Sequence, residues 1–113
     1  MTESEKLELI LPGVQKPARY TGGELGEIHK TADESTTRLA LCFPDVYEVG
    51  MSHMGLSILY HLANGMKGVY AQRCFCPWLD MEQALREAGM PLFSLETKTP
   101  LCDFDIVGFS LSY

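Results

Sequence analysis

Leu39-Ala-Leu-Cys-Phe43 is a short, continuous apolar run halted by Pro44 and Asp45, and it decides the fold of this 113-residue chain. Apolar residues at both odd and even positions suit a strand covered on both faces, the habit of parallel sheets. Outward from it, Leu56, Leu59, Tyr60 and Ala63 recur at i, i+3, i+4 and i+7, the stripe of an amphipathic helix. Ser52 is placed to cap that helix, and Asn64-Gly65 to close it with a residue that tolerates the left-handed conformation. Gly68-Val-Tyr-Ala-Gln-Arg-Cys-Phe75 reads as a second strand. Pro77 can open the next helix, whose stripe is Met81, Ala84, Leu85 and Ala88, with Gly89 as its stop. Pro91-Leu-Phe-Ser-Leu95 is a short extended piece, and Phe104-Asp-Ile-Val-Gly-Phe-Ser-Leu-Ser112 a third buried strand. Strand and helix in this alternation make a βαβαβ unit with right-handed crossovers, hence a Rossmann-like or flavodoxin-like α/β parallel sheet. We expect the strand order 2-1-3 with helices near 53–64 and 79–88. Doubly wound sheets usually continue for two or three more strands. Residues 38–113 therefore read as the truncated first part of such a domain.

Residues 1–37 follow a different rule. Their one apolar patch (Leu7, Leu9, Ile10, Leu11) is followed by Pro12-Gly13, Pro17, Gly22-Gly23 and a polar run from Thr31 to Thr37. Pro and Gly at this density break regular structure, so an irregular N-terminal arm is expected, with one helical turn near Leu7. Such an arm must lie on something to be ordered. The composition, 46% apolar and 21% charged, is that of an ordinary globular domain. A net charge of −6 with no dense Lys/Arg stretch argues against a nucleic-acid partner. Nothing approaches the roughly 20 apolar residues of a membrane span. The N-terminus lacks the plan of a signal peptide, so a cytoplasmic location with reduced thiols is expected. Of the four cysteines only Cys74 and Cys76 are near neighbours, a spacing that suits neither a zinc site nor any other metal centre. They read as core or incidental thiols.

Ligands in open α/β sheets bind beyond the carboxyl ends of the strands, where strand order reverses. With order 2-1-3 that crevice opens beyond Phe43 and Ser110. The loop expected after the first strand, 44–55, contains neither G-x-G-x-x-G nor the Lys-Ser/Thr of a P-loop, which excludes both familiar nucleotide devices. It does contain Asp45-x-Tyr47-x-x-Gly50. This resembles the Asp-x-His-x-x-Gly motif that follows the first strand in the cobalamin-binding domains of methionine synthases and mutases. There the His binds cobalt from below, the Asp orients it, and the Gly admits the corrin. Tyr47 stands where that His belongs. A phenol of pKa about 10 is mostly protonated at neutral pH and is a poor cobalt ligand beside imidazole. The resemblance thus implies a corrinoid without a protein ligand beneath the metal.

A longer resemblance covers nearly the whole chain from Val14. It runs through Lys16-Pro-Ala-Arg-Tyr20, Phe43-Pro-Asp-Val-Tyr-Glu-Val-Gly-Met-Ser52, Gly55-Leu56, Pro77-Trp78-x-Asp80-Met81-Glu82, Pro91-Leu-Phe-Ser-Leu95 and Asp103-Phe-Asp-Ile-Val-Gly-Phe-Ser110. These motifs are similar to the start of proteins that carry an N-terminal cobalamin-binding-like domain ahead of a radical S-adenosylmethionine (SAM) domain. The resemblance implies a downstream domain of the same polypeptide holding a [4Fe-4S] cluster and SAM. The C-x-x-x-C-x-x-C motif of such a cluster is absent here, so this chain contributes no catalytic residue to it. Asp45, Tyr47, Gly50, Ser52, Gly55 and Ser110 are the residues the resemblance and the crevice mark for cofactor binding. The alternatives are a module that keeps the fold as a scaffold or docking surface without corrinoid, and a stand-alone flavodoxin-like small-molecule or signalling domain. His53 and His61 flank the first helix and read as capping or solvent-facing groups. Trp78 reads as a packing anchor.

Overall fold

The structure is a computed structural model and describes residues 3–14, 16, 19–22, 27–51 and 54–109. In chain order the elements are α1 (Glu3–Ile10), β1 (Thr37–Phe43), α2 (Tyr47–Met51), α3 (Met54–Asn64), β2 (Val69–Phe75), α4 (Leu79–Ala88) and β3 (Ile106–Phe109), with 3₁₀ turns at Leu11–Gly13 and Leu101–Asp103. The three strands form one parallel sheet in the order β2-β1-β3, as the alternation requires. Leu39 is paired with Ala71 on one side and Ile106 on the other, and Cys42 with Cys74 and Phe109. The extended piece at 91–95 makes a single antiparallel bridge, Phe93 to Pro100.

β1 sends alternate side chains to opposite faces. Ala40 and Cys42 join Cys74 and Phe104 in one buried cluster, closed over by Leu92 and Leu101. α3 belongs to the other face and buries Leu56, Tyr60 and Asn64. Its buried stripe is narrower than the sequence suggests, because Leu59 remains 49% exposed. Leu59 faces a hollow of about 290 Å³ beside β3, shared with Leu41, Leu56 and Phe109. Gly65 does not supply a left-handed stop; that backbone conformation falls at Gly68 instead. α4 ends as expected, on Gly89 at φ 67°, with the Met90 N–H reaching back to the Leu85 carbonyl.

The N-terminal segment is more regular than its composition suggests. Where one turn was expected, α1 runs for eight residues, and it does so because it has a surface to lie on. Leu7, Val14 and Tyr20 pack with Met81 and Leu85 of α4 and with Met90 and Phe93. Burial of the Leu7 face supplies what an eight-residue helix lacks on its own in water.

The two edges of the sheet differ. In a parallel strand the outward N–H and C=O of alternate residues face the edge, and on β2 three other segments meet them. The Lys30 ammonium donates to the Val69 carbonyl at 2.7 Å. The Asn64 amide accepts from Ala71 N–H at 2.8 Å and donates to the Ala71 carbonyl at 3.0 Å. Glu96 accepts from Arg73 N–H at 2.9 Å, and Leu95 N–H donates to the Arg73 carbonyl at 2.7 Å. β3, in contrast, leaves Ile106, Val107 and Phe109 exposed, so the apolar run expected to be a third buried strand is an exposed one, with none of the described residues covering it. No helix among the described residues is long and apolar enough to cross a membrane.

Candidate functional site

The carboxyl end of β1 is tied down by backbone bonds before any side chain acts. Asp45 N–H donates to the Phe43 carbonyl, and the Asp45 carbonyl accepts from Cys76 N–H just past β2, both at 2.8 Å. This joins the ends of the two strands. The Asp45 carboxylate turns back and accepts from Val46 N–H at 2.7 Å. The chain then winds into α2, so the stretch expected to be a loop is helical from Tyr47. Tyr47 sets its ring edge-on to Phe75, with centroids 5.7 Å apart and planes at 90°. Gly50 sits inside α2, and Gly55 is the second residue of α3. Ser52, His53 and Ser110 lie outside the described residues. His61 is on the solvent side of α3, its ring 5.4 Å from that of Tyr60.

The N-terminal arm closes over this turn. Arg19 Nε lies 2.8 and 3.0 Å from the two carboxylate oxygens of Glu48 in α2. Each partner moves the other's titration. The carboxylate hydrogen bond raises the Arg19 pKa further, and the guanidinium holds Glu48 below the ordinary carboxylate range. The same guanidinium lies 5.6 Å from the Trp78 ring, which is a half-exposed platform rather than the packing anchor the sequence suggested. Tyr20 Oη accepts from Trp78 N–H at 3.2 Å. Beneath these contacts Tyr20, Tyr47, Phe75, Met81 and Phe93 enclose a space of about 20 Å³, enough for a single water.

A second group lies at the β2 edge. The Arg73 guanidinium donates from Nε to Glu96 at 2.8 Å, from Nη1 to Met51 Sδ at 3.2 Å, and stacks 4.3 Å from the Tyr60 ring centroid. Burial, followed by the hydrogen bond with Glu96, pushes the Tyr60 phenol far above its ordinary value, so it stays neutral. Neutral Tyr60 accepts from Ile28 N–H at 2.8 Å and pins the arm here too. Among the described residues no His, Cys, Asp and Glu converge as a metal centre.

Four residues escape the sequence. Arg19 stands out there only as part of a motif, with its place ahead of an acidic turn as the available signal. Asn64 reads as a helix stop and is the bracket for Ala71. Cys42 and Cys74 lie far apart in sequence, yet the register puts them opposite each other.

A family model described as "Radical SAM proteins, N-terminal" matches residues 55–113, just over half the chain. The chain belongs to that family. The match spans α3, β2, α4 and β3 of this radical SAM N-terminal domain, while α2 and the Asp45-x-Tyr47-x-x-Gly50 turn precede it. No curated protein and no solved structure matches the chain.

Proposed function

We propose that this radical SAM N-terminal domain is the non-catalytic cofactor module of a longer enzyme, and that its crevice beyond β1 and β3 seats a corrinoid with no protein ligand beneath the cobalt. The observation that carries this reading is the parallel β2-β1-β3 order, which sets the strand-order reversal beside the Asp45–Gly50 turn. The iron–sulfur cluster and SAM belong in this reading to a downstream domain of the same polypeptide. Cys74 and Cys76 are separated by Phe75 alone, and the described residues bring no further ligand to them.

The residues fit a corrinoid in one respect and fail in another. Leu41, Leu56, Leu59 and Phe109 leave an apolar hollow open beside the crevice, which suits the body of a large ring system. Axial ligation does not fit. The phenol of Tyr47 is packed edge-on against Phe75, and the Asp45 carboxylate is engaged with Val46 N–H rather than set to orient a ligand. When bound, such a group supplies a cobalt centre able to carry an alkyl substituent. What this chain supplies is the floor: the hollow offers an apolar surface, and the Arg19–Glu48 pair holds α2 in place. Visible absorption and electron paramagnetic resonance of the full-length protein, reconstituted with cobalamin and with iron and sulfide, test the proposal. Retention of corrinoid through gel filtration, without nitrogen coordination from a protein His, is the expected result. A protein imidazole on the reduced cobalt would overturn the axial assignment.

The scaffold alternative rests on the same Arg19–Glu48 contact, since a turn sealed by the arm serves as well for docking. Its signature is a full-length protein that assembles its cluster and retains no corrinoid.

A further inference from the structure

We propose that Cys42 and Cys74 are a modification site, a dithiol that a small-molecule disulfide converts reversibly into a disulfide joining β1 to β2. Three observations carry this. The two residues are direct partners in the parallel register. Positions opposite each other on adjacent strands have Cα atoms about 4.8 Å apart, within the roughly 4.4–6.8 Å that a disulfide spans. Both side chains belong to the same buried cluster and line the same hollow.

The surroundings favour a disulfide over a bound soft metal ion. The two thiols and Cys76 line a hollow of about 180 Å³ walled by Phe43, Phe75, Leu92 and Phe109, with no cationic residue in its lining. Two thiolates holding a monovalent ion would leave a net negative charge in that apolar setting, whereas a disulfide is neutral. The hollow also gives a small reagent a path to thiols that are only 5% and 2% exposed. Beside Cys74 the Cys42 thiol is drawn below its ordinary value, whereas Cys42 and burial push Cys74 above it, so Cys42 is the attacking thiolate.

The exchange balances as follows. The Cys42 thiolate attacks one sulfur of the reagent, its S–S bond breaks, and one thiolate leaves, taking up the proton Cys42 released. Cys74 then attacks the Cys42 sulfur of the mixed disulfide, and the second thiolate leaves with the Cys74 proton. Two protein thiols are oxidised, and one disulfide is reduced to two thiols.

The 113-residue chain, equilibrated with mixtures of reduced and oxidised glutathione and quenched in acid, is to be digested without reductant and analysed by mass spectrometry. The expected product is one internal link between the Cys42 and Cys74 peptides, two hydrogens lighter, rising with the oxidised fraction and reversed by dithiothreitol. Cys42→Ser should abolish it. Because a buried serine could disturb folding, the Cys76→Ser/Cys102→Ser variant, which keeps both buried thiols, decides the matter: it must still form the link. Stable glutathione adducts on Cys76 or Cys102 alone, or a Cys74–Cys76 link in their place, would overturn the proposal.

Discussion

Replacing Asn64 by Ala should cost this domain a large share of its stability, through the backbone of another element. The Asn64 side chain is 8% exposed and its two amide bonds, at 2.8 and 3.0 Å, satisfy both outward groups of Ala71, which is fully buried. Truncation leaves an N–H and a C=O in a space that water does not reach, at about 1–3 kcal/mol each. The sum, about 2–6 kcal/mol, is set against total stabilities of about 5–15 kcal/mol for domains in general. With a urea slope of about 1–3 kcal/mol per M, the unfolding midpoint should fall by about 1 M or more at unchanged slope. Asn64→Asp adds a test that mere loss of packing does not pass. Its carboxylate can still accept from Ala71 N–H, but it donates to the Ala71 carbonyl only when protonated. Burial and the facing carbonyl therefore raise its folded pKa above the unfolded value of about 3.9. A raised folded pKa contributes stability below the unfolded pKa and loses it as pH rises through the folded one. The gap between this variant and the parent should accordingly widen from acid to neutral pH. A loss under about 0.5 kcal/mol for Asn64→Ala, or a pH-independent gap for Asn64→Asp, would refute the bracket assigned to Asn64.

Three further outcomes are expected. Glu96→Ala removes the 2.8 Å ion pair of the buried Arg73 guanidinium and the acceptor of the Arg73 N–H, so a loss of about 3 kcal/mol by urea titration is expected. Gly22→Ala forces a side chain onto φ 70° and brings its Cβ to 2.7 Å from Glu27 Oε1 and 2.8 Å from the Leu95 carbonyl. The melting temperature should drop by the equivalent of about 1 kcal/mol or more, and an unchanged melt would show that the arm is not seated there. The Arg19–Glu48 pair lowers the folded pKa of Glu48, so its contribution is present above the unfolded value near 4.5 and is lost as pH falls through the folded one. Proteolysis of the arm should therefore rise in acid for the parent and be pH-insensitive at this step for Glu48→Gln.

The strands and two main helices were legible because local pattern and packing agree in them. The apolar run at 39–43 is short and stopped by Pro44, which favours a strand over a helix, and Met81 with Leu85 lie on the inner face of a helix. Three failures share one physical cause, which is partnership across long separations. Residues 44–55 look like a loop by composition, since the contact that holds α2, Arg19 to Glu48, is 29 positions away. α1 exceeds a single turn because α4 covers it, and no window around Leu7 contains that information. Leu59 fits the helical stripe yet stays half-exposed, because periodicity shows the side on which a residue lies and not whether anything stands opposite. For the site, Asp45, Tyr47 and Gly50 were legible as a motif, whereas the inward turn of Tyr47 onto Phe75 depends on where β2 ends.

The contrast between the two sheet edges gives these elements a common logic. β2 has spent its outward groups on Lys30, Asn64 and Glu96, so no further strand can pair there. Among the described residues no strand pairs with the outer, apolar edge of β3, a template for another strand. Any added strand must therefore join beyond β3. That leaves β1 and β3 as the neighbours from which the chain departs in opposite directions, the condition for a crevice at their carboxyl ends. The Asp45–Met51 segment stands at that crevice and is held by the arm through Glu48 and by β2 through Arg73 and Met51. A ligand or domain that displaced α2 would have to break both attachments. The arm is thus coupled to the site by contact, and loosening Arg19 should change the crevice before it changes the core.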